Sequence, residues 1–208
     1  MRDGGVRSLR KKRTRAALIE RAQTLTVQHG LSGFTVEELC DQVGVSRRTF
    51  FNYFPTKDDA VVGGPDPSLF EAQEVDFLAA GNEGNGALSP TLLTDLARLA
   101  IAQLENTGFS RADADRHRAI IHREPQLMVR ILQVGESHQR RLAELIARRE
   151  HLDPADPLPQ VIVAVLVGIV HTTFVEFIND ANEEPYPTLL GRNLHLAKSL
   201  FQQQLDLP

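Results

Sequence analysis

Residues Val45–Lys57 read VSRRTFFNYFPTK. Two adjacent arginines and four aromatics fall within eight residues, in a chain of 208 with a formal net charge of -4 and only 10 Phe and 2 Tyr. Ser46 is an N-cap residue type, and Pro55 stops any helix that Ser46 starts. Wound at 3.6 residues per turn, Phe50 and Phe54 share one side, while Arg48, Phe51 and Asn52 fall roughly opposite. Arg47, Thr49 and Tyr53 lie on the flanks. The pattern predicts Phe50 and Phe54 in a core, with Phe51 and Tyr53 presented outward.

Upstream, Thr35 with Glu38 three residues on forms a capping box, and Phe34 and Leu39 stand at the positions of a hydrophobic staple. That helix ends at Gly44, a residue able to take the left-handed conformation of a sharp turn. Before it, Arg15 to His29 has apolar residues near helical spacing and stops at Gly30. Downstream, Thr56 with Asp59 is a third start signal. A capped helix, a turn at Gly44 and a second capped helix make a helix-turn-helix.

The outward face of the second helix carries groups that a DNA major groove requires. Arg can donate a fork to guanine, Asn can pair with adenine, and a phenyl edge can meet a thymine methyl. Lys57, in the first turn of the next helix, suits a phosphate. The basic run Arg10, Lys11, Lys12, Arg13 and Arg15 can add phosphate or minor-groove contacts. Charge is distributed to match. Residues 1–57 hold eleven Lys/Arg against five Asp/Glu, and the remainder holds twelve against twenty-two. A basic head on an acidic body places the polyanion at the head.

These residues resemble the N-terminal domain of TetR-family transcriptional regulators. The match covers 12–58: a capped TVEEL helix, Gly-Val-Ser, Thr followed by aromatics through Phe54, then Pro-Thr-Lys. The resemblance implies DNA contacts from Thr35, Arg47, Arg48, Thr49, Phe51, Asn52, Tyr53 and Lys57, with Ser46 capping the reading helix. The family usually has Tyr where Phe51 stands, so Phe51 is left with a methyl or packing contact and no phosphate bond. Arg48 replaces a residue that is frequently small and can add a base contact. The resemblance further implies an all-helical C-terminal domain that binds a small-molecule effector and dimerises through its last two helices.

The remaining chain reads as helix throughout, giving an all-α fold with domains at 1–58 (basic tail and helix-turn-helix) and 59–208 (effector-binding and dimerisation). Breakers in GGPDP and AAGNEGNGALSP predict a broken connecting helix and a mobile loop around a short piece near Leu69–Leu78. Ser89-Pro90, Ser110 and Pro125 open further helices, the last running to about His151. After the break at Pro154–Pro159, helices near Leu158–Asp180 and Thr188–Leu205 close the chain. Val161–Val170 is apolar on every side and needs cover from more than its own core. Its uninterrupted run is ten residues before His171, Thr172, Thr173 and Glu176 intervene, against about twenty for a membrane span. A homodimer is therefore expected, and no membrane partner.

His138, within the apolar stripe of the long helix, and His171 with Thr172 are candidate effector contacts, although histidines on apolar faces more often belong to a core. No cofactor or metal is expected, because no carboxylate–histidine cluster has ligand spacing. No catalytic residues are expected either, since no phosphate-binding glycine loop, GxSxG elbow or HExxH pair occurs. A single cysteine, Cys40, is expected to fill space in a helix and fits a reducing cytoplasm. The functional expectation is a cytoplasmic repressor that binds a palindromic duplex operator and is released by an apolar or amphipathic effector. A ligand-independent helix-turn-helix accessory protein is the alternative.

Overall fold

The computed structural model describes residues 3–63, 67–81, 87–107 and 110–203, with side chains omitted before Leu9, at 67–72 and at Asn106 and Arg111. Ten α-helices are described: α1 (Asp3–His29), α2 (Val36–Val43), α3 (Arg47–Phe51), α4 (Lys57–Val62), α5 (Pro67–Ala79), α6 (Leu92–Thr107), α7 (Arg111–Arg123), α8 (Leu127–Glu150), α9 (Leu158–Phe177) and α10 (Tyr186–Phe201). No strand occurs among the described residues, so the all-α expectation holds. Several bounds differ from the sequence reading. α1 begins at Asp3 rather than near Arg15, because the basic run continues the helix. α9 ends at Phe177, short of Asp180. α10 starts at Tyr186, preceded by Pro185, and Leu205 lies outside the described residues, as does most of the GNEGNG stretch.

Two compact units emerge: residues 1–64 with 112–135, and residues 65–111 with 136–208. The first, the head, has a core in which Leu18, Ala22 and Leu25 of α1 meet Leu39 and Cys40 of α2, Phe50, Phe54, and Ala60 and Val61 of α4. Ile120 of α7 and Leu127 of α8 join this core. Both capping boxes form. Thr35 accepts from the Glu38 amide while its own amide donates to the Glu38 carboxylate at 2.7 Å, and Thr56 and Asp59 repeat the arrangement. Gly44 sits at φ 75°. A Cβ there would meet nothing within 4 Å, so only the left-handed backbone calls for glycine. Charge and amide pairs fasten residues 112–135 to the rest of the head: Arg130 with Asp59, Glu124 with the Leu31 amide at 2.7 Å, and His117 with Gln23 at 3.2 Å.

The second unit, the body, has an apolar core of Phe77, Leu92, Leu96, Ala143, Leu145, Ile146, Val163 and Leu166. Beside it lies an ion cluster in which Arg149, Glu150 and Ser89 are buried, Asp95 is half-buried and Thr91 is exposed. Arg149 donates to Glu150 at 3.0 Å, Asp95 at 2.7 Å, Thr91 at 2.9 Å and the Ala80 carbonyl at 3.0 Å, and its guanidinium lies 4.3 Å from the centre of the Phe77 ring. Ser89 gives both its amide and its hydroxyl to Glu150, each at 2.7 Å. Ser89, expected only to open a helix, therefore serves the ion cluster as well. A Cβ on Gly81 would stand 2.4 Å from the Arg149 carbonyl oxygen, so the chain passes too close there for any side chain.

α9 corrects the run-length argument of the sequence reading. As a helix of 20 residues with a mean hydropathy of 2.0 in its most apolar window, it is long and apolar enough to cross a membrane by length and composition. Three of the four interrupting residues are uncharged, so the window stays apolar. Two of its polar groups are nevertheless engaged with α10. Buried Thr173 accepts from Asn193 at 3.0 Å, and Glu176 pairs with Arg192.

Candidate nucleic-acid interface

The short helix α3 is held from below by its aromatics. Phe50 and Phe54 are 0% and 2% exposed, while Phe51 on the other side is 48% exposed. Full burial of a phenylalanine contributes about 1.5–3 kcal/mol, so Phe50 and Phe54 fix the azimuth of the helix and hence what it presents. Phe51 meets Phe50 edge-on at 5.3 Å between centres. Ser46 caps the helix through the Thr49 amide at 3.1 Å, and the two hydroxyls lie 2.8 Å apart. Ser46, Arg47, Arg48, Phe51 and Asn52 are exposed, and Thr49 is half-buried. Tyr53 departs from the expectation that it is presented. It is half-buried, packed against the head core.

Two candidate contacts have partners within the chain. Lys57 donates to the Phe34 carbonyl and lies 4.4 Å from the centre of the Phe34 ring, which ties the start of α4 to the chain just before α2. Thr35, exposed at the tip of α2, uses its hydroxyl in the capping box. The acidic first turn of that helix matters too. The Glu38 carboxyl is held below the usual carboxylate range by the Thr35 backbone and side-chain hydrogen bonds.

Sequence reasoning missed two features of this face. Glu37 forms an ion pair with Arg47, joining α2 to α3 across the turn. No local spacing rule reveals a pair ten residues apart. Arg15, assigned to a basic tail, turns back onto the head. Its guanidinium lies 4.9 Å from the centre of the Phe54 ring and donates to the Gly63 carbonyl. Cys40 is 2% exposed and its thiol is pushed up by burial, as suits a space-filling residue.

The candidate effector residues separate. His138 is half-buried in α8, and burial lowers its imidazole below the ordinary range, with Arg141 nearby adding to the effect. His171 and Thr172 are exposed in the single chain, on a stretch of α9 that also leaves Val161, Val165 and Val175 at 56%, 36% and 50% exposure. On α10, Leu196, Leu200 and Phe201 are 63%, 59% and 65% exposed. No group of three or more His, Cys, Asp or Glu that could hold a metal occurs among the described residues.

Comparison with known proteins bears on both halves. A family model described as bacterial regulatory proteins, tetR family, matches residues 18–61. A second, described as the MftR C-terminal domain, matches residues 92–202. The HTH-type transcriptional regulator TcmR of Streptomyces glaucescens is 32% identical over 172 residues, covering 79% of this chain and 73% of that protein. MftR of Mycobacterium tuberculosis, named as a mycofactocin biosynthesis transcriptional regulator, is 26% identical over 159 residues, covering 75% of each. Among solved structures, a TetR-family regulator of Syntrophomonas wolfei covers 95% of this chain and 99% of its own at 16% identity and a TM-score of 0.49.

Proposed function

The chain belongs to the TetR family of bacterial regulatory proteins, and from that premise we propose that it is a dimeric repressor that binds a palindromic operator and is released by a small molecule. It is a transcriptional regulator and not an enzyme. The observation that carries the proposal is the division of α3 and the turn after it: Phe50 and Phe54 are buried while Arg48, Phe51 and Asn52 stand exposed beside them. A five-residue helix so anchored offers a fixed set of donors to a groove. Arg47 and Arg48 are placed to read guanine, Asn52 adenine, and Phe51 a thymine methyl. Thr35, Ser46, Thr49, Tyr53 and Lys57 position that set or meet phosphates.

One such helix reads few bases. Two heads about 34–36 Å apart read a palindrome in successive major grooves. The apolar residues left uncovered on α9 and α10 supply the reason to dimerise, and a second copy is the occupant that also covers Phe201. His138 is the effector-facing candidate inside the body. His171 and Thr172 reach an effector only where a partner subunit closes over α9. The effector is apolar or amphipathic, the protein is cytoplasmic, and no membrane, cofactor or metal takes part.

Selection from random duplexes at two salt concentrations tests this, with Arg48→Ala/Asn52→Ala as the control. A palindromic motif that the double variant loses is the expected result. Motif-free binding that collapses with salt would leave only the phosphate contribution and would favour the accessory-protein reading. Sedimentation showing only monomer at micromolar concentration would remove the dimer.

A further inference from the structure

α1 is 27 residues long, Asp3–His29, yet from Leu9, where its side chains are first described, none is buried before Leu18. Residues 3–14 prolong the helix by about 18 Å at ~1.5 Å per residue. Leu9, Arg10, Lys11 and Arg13 are exposed, and Lys12 and Thr14 are half-buried. Arg15 fixes the root of this extension. Its stacking on Phe54 and its bond to the Gly63 carbonyl place the departure point beside the residues that follow α3.

Standing alone, the extension repels itself. Arg10 and Arg13 are three apart, Lys12 and Arg15 three apart, and Lys11 and Arg15 four apart, so like charges neighbour one another along the helix. The helix N-terminus adds positive charge of its own. Asp3 is the one acid among residues 1–19. Apolar burial does not offset this, because Leu9 is 52% exposed. A short helix with one acid against this run of cations, and with Leu9 largely exposed, is marginal in water, and a polyanion would remove the repulsion.

We propose that residues 3–14 form a second DNA-binding element, a helix laid along the phosphate backbone flanking the half-site and ordered by the duplex. The inference rests on the DNA-binding reading of the head but adds to it. Being helical, the segment is too thick to enter a minor groove about 6 Å wide as an extended arm would, so its cations go to phosphates. It therefore contributes affinity without sequence preference.

The test compares the full chain with Arg10→Gln/Lys11→Gln/Arg13→Gln on two probes: a long mixed-sequence duplex and the duplex enriched by random selection. Both are titrated across a range of salt. Three lost phosphate contacts should lower the slope of log K against log salt by about two to three. The enriched motif should be unchanged. Trimming the enriched duplex to the motif itself should abolish the difference between the two proteins. Hydrogen exchange of residues 3–14 should slow on adding duplex. Matching circular dichroism and thermal unfolding confirm that the variant folds, and Arg10→Glu/Lys11→Glu/Arg13→Glu should weaken binding further. Equal slopes for full chain and variant on both probes would overturn the inference while leaving the head's reading intact. Failure to enrich a motif, with the slope difference still present on mixed-sequence duplex, would break the reading of the head and leave this one standing. No binding to either probe would remove both.

Discussion

In the head, the ends of the helix-turn-helix are closed by residues close together in sequence; in the body, a buried charge is matched by residues far apart. Thr35 answers Glu38 and Thr56 answers Asp59, each pair closing a helix end within one turn. The body's buried charge is assembled from Arg149 and Glu150 at the end of α8, Asp95 and Thr91 at the start of α6, Ser89 just before it, and the Ala80 carbonyl after α5. The difference has an energetic side. A capping box is a short-range set of hydrogen bonds between one hydroxyl residue and one carboxylate. Arg149 and Glu150 have no solvent access, so removing either leaves the other's charge buried and uncompensated.

The largest effect is therefore expected in the body. Arg149→Met keeps much of the volume and strands the buried Glu150 carboxylate, while Asp95 keeps Arg98. It should cost about 3–5 kcal/mol in urea unfolding. Replacing Glu150 by Gln in the same chain should return part of the loss, because the two changes share one network. A cost for Arg149→Met well below that of a single cap would reverse the comparison. In the head, Thr56→Ala should cost about 1 kcal/mol, with faster amide exchange confined to the first turn of α4. Ser46→Ala should act similarly on α3 and loosen the helix that carries the base-reading candidates.

That contrast also governs what the sequence made legible. The helix-turn-helix could be read because each of its signals lies within a few residues: a cap and its acid, a glycine at a turn, two phenylalanines four apart. Phe50, Phe54 and Phe51 went where that spacing put them. Tyr53 did not, because its packing depends on the rest of the head core. Glu37 with Arg47 and Arg15 with Phe54 were invisible for the same reason. The start of α1 was misplaced because a basic run with little apolar content looks like a tail whether or not it is wound. In the body, helix positions followed from breakers, but the Arg149 cluster has no spacing signature. His171 and Thr172 looked like pocket residues because they end an apolar run; only the helix azimuth shows that they face outward from the single chain.

Acid sharpens the comparison by acting on the body at two points. Burial, with Arg141 nearby, lowers His138 below its ordinary 6.5. As pH falls through that value, the unfolded chain takes a proton that the folded chain refuses, so folded stability declines. Asp95 shifts in the same protective sense. Burial alone would raise it, but hydrogen bonds from Arg149 and Thr91 outweigh that and hold it below its ordinary 3.8. Its contribution is present above that value and is lost as pH drops further. Thermal unfolding across pH should thus show a first decline near neutral-to-mild acid that His138→Asn removes, and a second in stronger acid that it leaves.

The smallest effect on stability, and the most informative about function, is expected at Glu37. Its pair with Arg47 is exposed on both sides, 60% and 51%, so breaking it should change folding by well under about 1 kcal/mol. On DNA the pair has a different meaning. A carboxylate beside the proposed base-reading residues would repel phosphates and offset the charge of an arginine that could otherwise bind them. Arg47 is paired with Glu37 and lies 5.9 Å from the centre of the Phe51 ring, so the proposal is that the pair limits its phosphate contacts. Glu37→Gln should therefore tighten binding to mixed-sequence duplex severalfold at low salt and steepen its salt dependence by about one. The preference for the selected motif should shrink, because the gain falls on every sequence. Competition binding between the two duplexes reads that ratio directly. An unchanged ratio would reduce the Glu37–Arg47 pair to a surface contact, and would confine sequence reading to Arg48, Phe51 and Asn52.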